Sequence, residues 1–362
     1  MDRLDRIKGS LLGGAVGDAL GYCVEFDSEQ HIFSRFGRCG IRNYVLTGSK
    51  ALFSDDTQMS LYTACGLLCV EARGKAASVR DYTDSIWYAY LDWLKTQRGK
   101  MTREVAYSFL NSIPELFSPR APGGTCLASL QGGVPGSIEK PINYSKGCGG
   151  VMRAAPVGLY FSGKEVDGKT VAAVGASSVA LTHGHPLGYL SAAFLAHLVW
   201  LLAKGVELSE AVAATRSALS ALYGGSEDYE YMDTLINYAI RYAAEDRDDL
   251  ECVHALGEGW VGEEALAVAL YCALKYPCDF AHALIVSVNH NGDSDSTGAI
   301  LGNILGAYRG IDGIPKRYLA PLELRELIES VAVDLTTGLP DKEKEQRAYR
   351  LFMQRYYRPE GV

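Results

Sequence analysis

Two short segments of the sequence bring several oxygen-bearing side chains together. The first is Ser54-Asp55-Asp56-Thr57, directly before an apolar periodic run, and the second is Asp293-Ser294-Asp295-Ser296, before the run Ala299 to Ala307. Carboxylates and hydroxyls are the ligands that a hard cation such as Mg²⁺ prefers, whereas Zn²⁺ sites use imidazole or thiolate. If the segments meet, their aspartates repel one another unless divalent cations balance them, and two ions about 3.5–4 Å apart are a recurrent hydrolytic arrangement.

Both segments also have a purely structural explanation as helix caps. Serine or aspartate ahead of an apolar periodic run is a usual helix start. Only one residue can cap each helix. The remaining aspartates of each segment therefore still need a positively charged or hydrogen-bonding partner. A calcium-binding EF-hand loop is disfavoured in the second segment, because Thr297 stands at the third acid position and Ile304 where the closing glutamate belongs. Spacing alone does not establish that the two segments meet.

A glycine-rich loop lies between the acidic segments, Gly147-Cys148-Gly149-Gly150-Val151-Met152-Arg153. It matches neither a Walker A nor a Rossmann pattern. Its glycines would let backbone N–H groups approach phosphate oxygens, although a flexible turn explains the same composition. Arg153 suits either a phosphate contact or a structural ion pair. Cys148 near His183 would suggest a thiol nucleophile, but a small residue filling a tight loop is the better explanation.

The elements that carry these residues are predicted to be helices. Apolar or small residues recur at three- and four-residue intervals, and period-two alternation rich in Val, Ile and Thr is nearly absent. The sequence therefore predicts an all-α fold, and with no linker or repeat to divide it, one compact domain over residues 1–362. The predicted helices cover 4–22, 56–72, 82–96, 187–203, 207–222, 230–244, 263–274, 280–289 and 297–308, with breaks at 118–125, 131–150, 162–169, 182–188 and 290–296.

The first predicted helix contains an unusual set of glycines: Gly13, Gly14, Gly17 and Gly21. Glycine costs about 1 kcal/mol relative to alanine inside a helix, so we expect a second helix to approach this one closely. Asp18 and Glu25 lie among small and apolar residues, where a carboxylate is unfavourable unless it has a partner.

Composition excludes several classes of protein. Hydrophobic residues make up 48% and charged residues 22% of the 362 residues, which is typical of a globular protein. The net charge of −8 disfavours a nucleic-acid-backbone surface. Nine cysteines without a C-x-x-C pair indicate reduced thiols rather than a disulfide framework or zinc site. The start lacks a secretory pattern, and the apolar stretch 189–203 is short for a membrane span, so we expect a cytoplasmic protein without membrane contact.

Five motifs, in order, resemble the ADP-ribosylglycohydrolase family, which includes dinitrogenase reductase-activating glycohydrolases and ADP-ribosylarginine hydrolases. The resemblance covers nearly the whole chain and implies an all-helical fold with a two-magnesium centre that cleaves the bond at C1″ of an ADP-ribosyl group. The matching segments are Gly13–Gly21 with Glu25, Ser54–Thr57, Gly147–Pro156, Thr182–Pro186, and Gly292–Ser296 followed by the small-residue helix Gly302–Ala307.

The resemblance also implies roles for single residues. Glu25 matches an acid near the metals, the loop Gly147–Arg153 would wrap the ribose and diphosphate, and His183 would line the ADP-ribose pocket. Apart from the resemblance, Trp260 and Tyr144 are candidates for stacking on adenine, although isolated aromatic residues more often belong to the core, and the turn 123–125 is a candidate for a ligand contact. The implied ligands of the two Mg²⁺ ions are Ser54, Asp55, Asp56, Asp293, Asp295 and Ser296.

The implied reaction passes through an oxocarbenium-like centre. Either Asp56 or Glu25 would take the proton of a bound water or protonate the leaving group, and the sequence does not choose between them. Ser54 and Ser296 replace threonines of many members, which favours arginine-linked ADP-ribose on a protein as substrate. Hydrolysis of serine-linked or O-acetyl-ADP-ribose and non-catalytic ADP-ribose binding are the alternatives. Asn291, where glycine is common, leaves the shape of its turn open.

Overall fold

The computed structural model describes residues 1–74, 77–101 and 106–358. Over these ranges it is a helical protein whose β pairing is limited to isolated bridges, so the predicted all-α fold is confirmed. In chain order the helices are α1 (Arg3–Gly21), α2 (Glu29–Phe36), α3 (Asp55–Ala72), α4 (Val79–Thr96), α5 (Gly124–Gln131), α6 (Ala155–Phe161), α7 (Gly168–Ala180), α8 (Pro186–Ala203), α9 (Leu208–Tyr223), α10 (Glu227–Ala244), α11 (Asp249–Leu256), α12 (Gly262–Lys275), α13 (Phe280–Val288), α14 (Ser294–Arg309), α15 (Lys316–Leu319), α16 (Arg325–Thr337) and α17 (Gln346–Tyr356).

The nine helices predicted from apolar periodicity are all present, with ends shifted by a few residues. The pattern missed α7, which begins inside a predicted break, because most of its residues are small and buried and leave little contrast between its faces. It also missed α16, although Ile328, Val331, Ala332 and Leu335 form an ordinary buried stripe at helical spacing.

The central packing unit is the pair α1 and α14, which face each other through glycines. A Cβ added at Gly13 would lie 2.3 Å from the carbonyl oxygen of Gly302, and one at Gly17 would lie 1.9 Å from that of Gly298. Only the absence of side chains lets the two backbones come this close. The predicted close approach to the first helix is confirmed, and its partner is the helix that carries the second acidic segment.

The remaining helices surround this pair with one continuous cluster of buried apolar side chains that reaches from Ile7 to Tyr356. Helix α8 is long and apolar enough to cross a membrane by length and composition alone, but 83% of it is buried inside the protein, as expected of a core helix. The cluster fixes the helix axes, and the first turns of α3 and α14 bring the acidic segments to a common cavity.

Candidate active site

The first acidic segment is held in place by a buried carboxylate from α1. Ser54 caps α3 by accepting a hydrogen bond from the backbone N–H of Asp56, at 3.2 Å. Asp18 accepts hydrogen bonds from the backbone N–H groups of Ser54 (2.7 Å) and Thr57 (2.9 Å), and from the Thr57 hydroxyl (2.5 Å). The buried Asp18 carboxylate was expected to need a partner, and that partner is the start of α3. By holding this helix start, Asp18 positions Asp55 and Asp56.

The second acidic segment begins α14 after a tight turn. Asp293 caps the helix, accepting from the backbone N–H of Ser296 at 3.2 Å. Gly292 has φ +121°, and a Cβ there would lie 1.9 Å from the carbonyl oxygen of Glu258, so only glycine fits. The side-chain oxygen of Asn291 accepts from the backbone N–H of Glu29 at 2.8 Å, which ties the turn to the start of α2. This contact gives Asn291 a structural role where glycine is common.

The two segments meet. The hydroxyl of Ser296 donates to Oδ2 of Asp56 at 2.9 Å, across 240 residues of sequence. Asp55 lies at the same cavity and accepts from the backbone N–H of Gly123 at 3.1 Å. The Cys148 thiol contacts Oδ2 of Asp293, so the glycine-rich loop closes over the second segment. Helix capping explains why Ser54 and Asp293 stand at the helix starts. It does not explain the neighbouring aspartates, which face one another at the cavity.

A cavity of about 310 Å³ opens above these residues, within the size range of small-molecule sites. Glu25 lines it from the turn after α1, and the loop before α5 forms another part of its wall. The residues that line it are Glu25, Phe26, Asp55, Asp56, Ala121, Pro122, Gly123, Gly124, Thr125, Cys126, Gly147, Cys148, Gly149, His183, Trp260, Asp293, Asp295 and Ser296.

Burial and mutual repulsion make four carboxyl groups at the cavity hard to ionise. Burial, followed by the charges of Asp293 and Asp55, raises the pKa of Glu25 to about 9. Burial raises the pKa of Asp55 to about 8, against the hydrogen bond from Gly123. The pKa values of Asp56 and Asp295 are raised well above the ordinary range, first by burial and then by the neighbouring acids. Such a cluster gains most from a bound cation.

The donor set suits a hard divalent cation because its side chains offer carboxyl and hydroxyl oxygens. Oε2 of Glu25 is buried without a hydrogen-bond partner among the described residues. As the side chains stand, no three of the described His, Cys, Asp or Glu residues form a group that could hold a metal ion. Binding would therefore require the carboxyl groups to rotate toward a common point, with the two serine hydroxyls as additional donors.

The glycine-rich loop divides into two parts. Gly147, Cys148 and Gly149 line the cavity, whereas Gly150, Val151, Met152 and Arg153 are not among its lining residues. Arg153 is 1% exposed; it donates to the Thr182 hydroxyl at 2.5 Å and its guanidinium carbon lies 4.3 Å from the centre of the Tyr90 ring. The structure places this guanidinium in the core, where a hydroxyl and an aromatic face hold it. Within the described residues it makes neither the phosphate-facing arrangement nor the ion pair that the sequence left open.

His183 lies at the cavity, as the resemblance implied. Its Nδ1 is 2.8 Å from the Thr182 hydroxyl. Burial and then the positive charge of Arg153 lower its pKa to about 3, so the ring is neutral at physiological pH. A neutral imidazole here is a hydrogen-bonding group for a ligand and is not a competing positive charge.

Sequence reasoning missed part of the cavity wall. Phe26 and Cys126 line it, and so does the turn at Ala121, which has a left-handed φ of +52°. The only local signal for Phe26 was its position after Glu25. Of the two aromatic candidates, Trp260 lines the cavity, whereas Tyr144 packs on His185 with ring centres 4.3 Å apart and is not among the lining residues.

The chain is similar to known proteins of one family over nearly its whole length. The family model described as ADP-ribosylglycohydrolase matches residues 1–345. An ADP-ribosyl-[dinitrogen reductase] glycohydrolase of Rhodospirillum rubrum is 26% identical, covering 89% of this chain and 91% of its own. An ADP-ribosylarginine hydrolase Tri1 of Serratia proteamaculans is 25% identical, covering 93% and 82%. A solved structure described as an ADP-ribosylglycohydrolase-related protein complex shares the fold, with a TM-score of 0.59, 24% identity and coverage of 93% and 99%.

Proposed function

Because the chain belongs to the ADP-ribosylglycohydrolase family, we propose that it is a magnesium-dependent enzyme that hydrolyses the C1″ bond between ADP-ribose and arginine on a modified protein. The hydrolysis of an ADP-ribosyl conjugate follows from the family. The observation that supports the metal-dependent form is the hydrogen bond between Ser296 and Asp56, because it brings both acidic segments to one cavity. The nine free thiols support a cytoplasmic location.

Two Mg²⁺ ions would be held by the six oxygen-bearing side chains of the two segments. Bound there, the ions would supply positive charge that orients the ribose hydroxyls and acidifies a water molecule. The ligands would be Asp55, Asp56, Asp293, Asp295 and Ser296, which line the cavity, together with Ser54, which caps α3 and is not among the lining residues.

The protein itself would bind and orient the rest of the substrate. Glycines of the two loops at 123–124 and 147–149 line the cavity, where the absence of side chains would leave room for a diphosphate. Neutral His183 offers a hydrogen bond without an opposing charge. Glu25 is the better candidate for moving a proton to the leaving group, because its Oε2 has no hydrogen-bond partner within the described ranges and its raised pKa keeps a proton available. Asp56 is engaged by Ser296.

The linkage to arginine is supported by the Tri1 relative, whose name states that activity, and by the serines at positions 54 and 296. Serine-linked and O-acetyl-linked ADP-ribose are the alternative substrates. A protein that binds ADP-ribose without cleaving it is the alternative from another class.

The test is release of ADP-ribose from arginine-modified and serine-modified protein, each with Mg²⁺ and with EDTA. We expect Mg²⁺-dependent release from the arginine-modified protein and loss of that release in Asp55→Ala. Asp84→Ala, which removes an exposed carboxylate of α4, is the matched control. Release that persists in EDTA or in Asp55→Ala would refute the metal centre, and ADP-ribose binding without release from either substrate would identify a binding protein.

A further inference from the structure

A buried cation lies behind the wall of the cavity. Arg153 is fully buried, and its contacts within the described ranges are with neutral groups. Its guanidinium donates to the Thr182 hydroxyl and to the sulfur of Met59, at 2.5 Å and 3.5 Å, and it covers the Tyr90 ring. Its Nε has no hydrogen-bond partner among the described residues. A buried charge without an opposite charge beside it is unfavourable for the fold, so stability alone does not explain this arginine.

Two consecutive hydrogen bonds join the guanidinium to the cavity. Nη2 of Arg153 donates to Oγ1 of Thr182, and the same oxygen is 2.8 Å from Nδ1 of His183. The other ring nitrogen of His183 faces the glycine-rich loop, because a Cβ added at Gly147 would lie 3.5 Å from Nε2 and one at Gly149 would lie 3.6 Å from it. His183 lines the cavity, whereas Thr182 is buried and is not among the lining residues.

The backbone on both sides of His183 is held by one asparagine. Nδ2 of Asn143 donates to the carbonyl oxygen of Thr182 at 2.7 Å, and Oδ1 of Asn143 accepts from the backbone N–H of Gly184 at 3.2 Å. The Ser129 hydroxyl donates to the same Thr182 carbonyl oxygen at 3.0 Å. These bonds fix the segment, so the protein itself sets the position of the ring before a ligand binds.

The positions of the hydrogens follow from the donors and acceptors. A guanidinium only donates, so the Thr182 oxygen accepts from Arg153. The single hydroxyl hydrogen of Thr182 can go to Nδ1 of His183 at 2.8 Å or to the Val179 carbonyl oxygen at 3.4 Å, and only the first distance is that of an ordinary hydrogen bond. A proton on Nδ1 would instead point at an oxygen that already accepts from a cation. Because burial and then the charge of Arg153 lower the pKa of His183 to about 3, the ring is neutral and carries its one proton on Nε2.

We infer that Arg153 and Thr182 are positioning residues that fix His183 in its Nε2–H form, and that this N–H donates to a phosphate oxygen of the ADP-ribose moiety beside the glycine-rich loop. The inference rests on the proposed function, which assigns the diphosphate to this loop. It gives the buried guanidinium a role without a carboxylate partner, because the guanidinium orients the Thr182 hydroxyl. A donor whose direction is fixed in advance needs little reorganisation when an anion binds.

NMR of the protein labelled with ¹⁵N in its seven histidines, recorded with Mg²⁺, measures the tautomer directly. His183→Gln identifies the His183 signals, and we expect the wild type to carry the proton on Nε2. Thr182→Val and Arg153→Met should each produce a mixture with protonated Nδ1, and Thr182→Ser, which keeps the hydroxyl, should show the wild-type pattern. Thr215→Val is the matched control, because Thr215 is also buried and its hydroxyl lies 2.9 Å from Nδ1 of His197. It should leave the His183 signals unchanged.

Binding of ADP-ribose gives the second readout. We expect Thr182→Val to raise the dissociation constant of ADP-ribose about tenfold, which corresponds to about 1.4 kcal/mol, the contribution of one hydrogen bond. Thr182→Ser and Thr215→Val should keep the wild-type value. A purely structural role for Thr182 would lower the unfolding free energy of Thr182→Val and leave the tautomer of His183 unchanged.

The outcomes separate this inference from the proposed function. A proton on Nδ1 of His183 in the wild type, or an unchanged Nε2–H form in both Thr182→Val and Arg153→Met, would overturn the positioning role and leave the hydrolase function standing. A changed tautomer with an unchanged dissociation constant would overturn the contact with the phosphate. A wild type that neither binds nor releases ADP-ribose would refute the proposed function and the phosphate contact, whereas the tautomer is decided by NMR alone.

Discussion

Replacing Gly17 with alanine tests whether the close contact of α1 and α14 sets the geometry of the site. The added Cβ would lie 1.9 Å from the carbonyl oxygen of Gly298, where an ordinary contact begins at 3.4 Å. The helices must therefore separate locally by about 1.5 Å, an overpacking that typically destabilises a protein by about 1–3 kcal/mol. Gly298 lies two residues beyond Ser296, and Gly17 lies beside Asp18, so the two acidic segments move apart together with the helices.

The separation would stretch the contact between the Ser296 hydroxyl and Asp56 from 2.9 Å to as much as about 4.4 Å, beyond any hydrogen bond. A displacement of about 1 Å at a catalytic constellation can lower activity about 100-fold, so we expect a loss of that order in Gly17→Ala. Urea unfolding gives the change in free energy, and steady-state ADP-ribose release gives the activity.

Gly124→Ala is the matched control for the unfolding measurement, because a Cβ at Gly124 meets nothing within 4 Å. Its midpoint of urea unfolding should equal that of the wild type or lie slightly above it. If Gly17→Ala keeps both the stability and the activity of the wild type, the glycine contact does not position the acids, and the reasoning is wrong.

Three further predictions concern single buried groups. Mg²⁺ at about 100 times the dissociation constant of each of the two sites should stabilise the wild type by about 5 kcal/mol, which is about 2.7 kcal/mol a site. Asp295→Asn should lose this gain while melting no lower in EDTA, because burial and the neighbouring acids already disfavour the charged carboxylate there. Asp18→Asn should lower the unfolding free energy by about 1–3 kcal/mol and reduce ADP-ribose release, because an amide cannot accept all three hydrogen bonds from Ser54 and Thr57; unchanged urea midpoints would contradict this. Burial lowers the pKa of His197 to about 4, against 6.5 when exposed, so the unfolded chain takes up the proton first as the pH falls. Stability present above pH 6.5 is then lost toward pH 4, by about 2 kcal/mol at pH 5, and the unfolding free energy of His197→Gln should fall less over that range.

Most helices and the candidate site residues could be predicted from the sequence, because the patterns that indicate them lie within short segments. Helical periodicity depends on neighbours three and four residues apart, and it located nine helices. A serine or aspartate before an apolar run marked the starts of α3 and α14, where Ser54 and Asp293 act as caps. The four-residue spacing of glycines in α1 predicted a close contact with a second helix, because such a contact can offset the free-energy cost of glycine inside a helix.

The tertiary structure decided which distant residues became partners. No local signal connects Asp56 with Ser296, or Asp18 with the start of α3. The glycine faces of α1 and α14 hold these two helices together, and Asp18 on α1 holds the start of α3 beside the start of α14. It also decided the direction of side chains within one motif. Arg153 turned into the core because Thr182 and the face of the Tyr90 ring lie there.

The cavity wall shows the same division between local and long-range information. Phe26 and Trp260 are separated by most of the chain, and they pair because the turn after α1 and the loop before α12 converge above the acids. The sequence by itself determined the residues that can do the chemistry and the helices that carry them. Their meeting required the whole packed core, because long-range contacts follow from the fit of helix surfaces, which no short segment encodes.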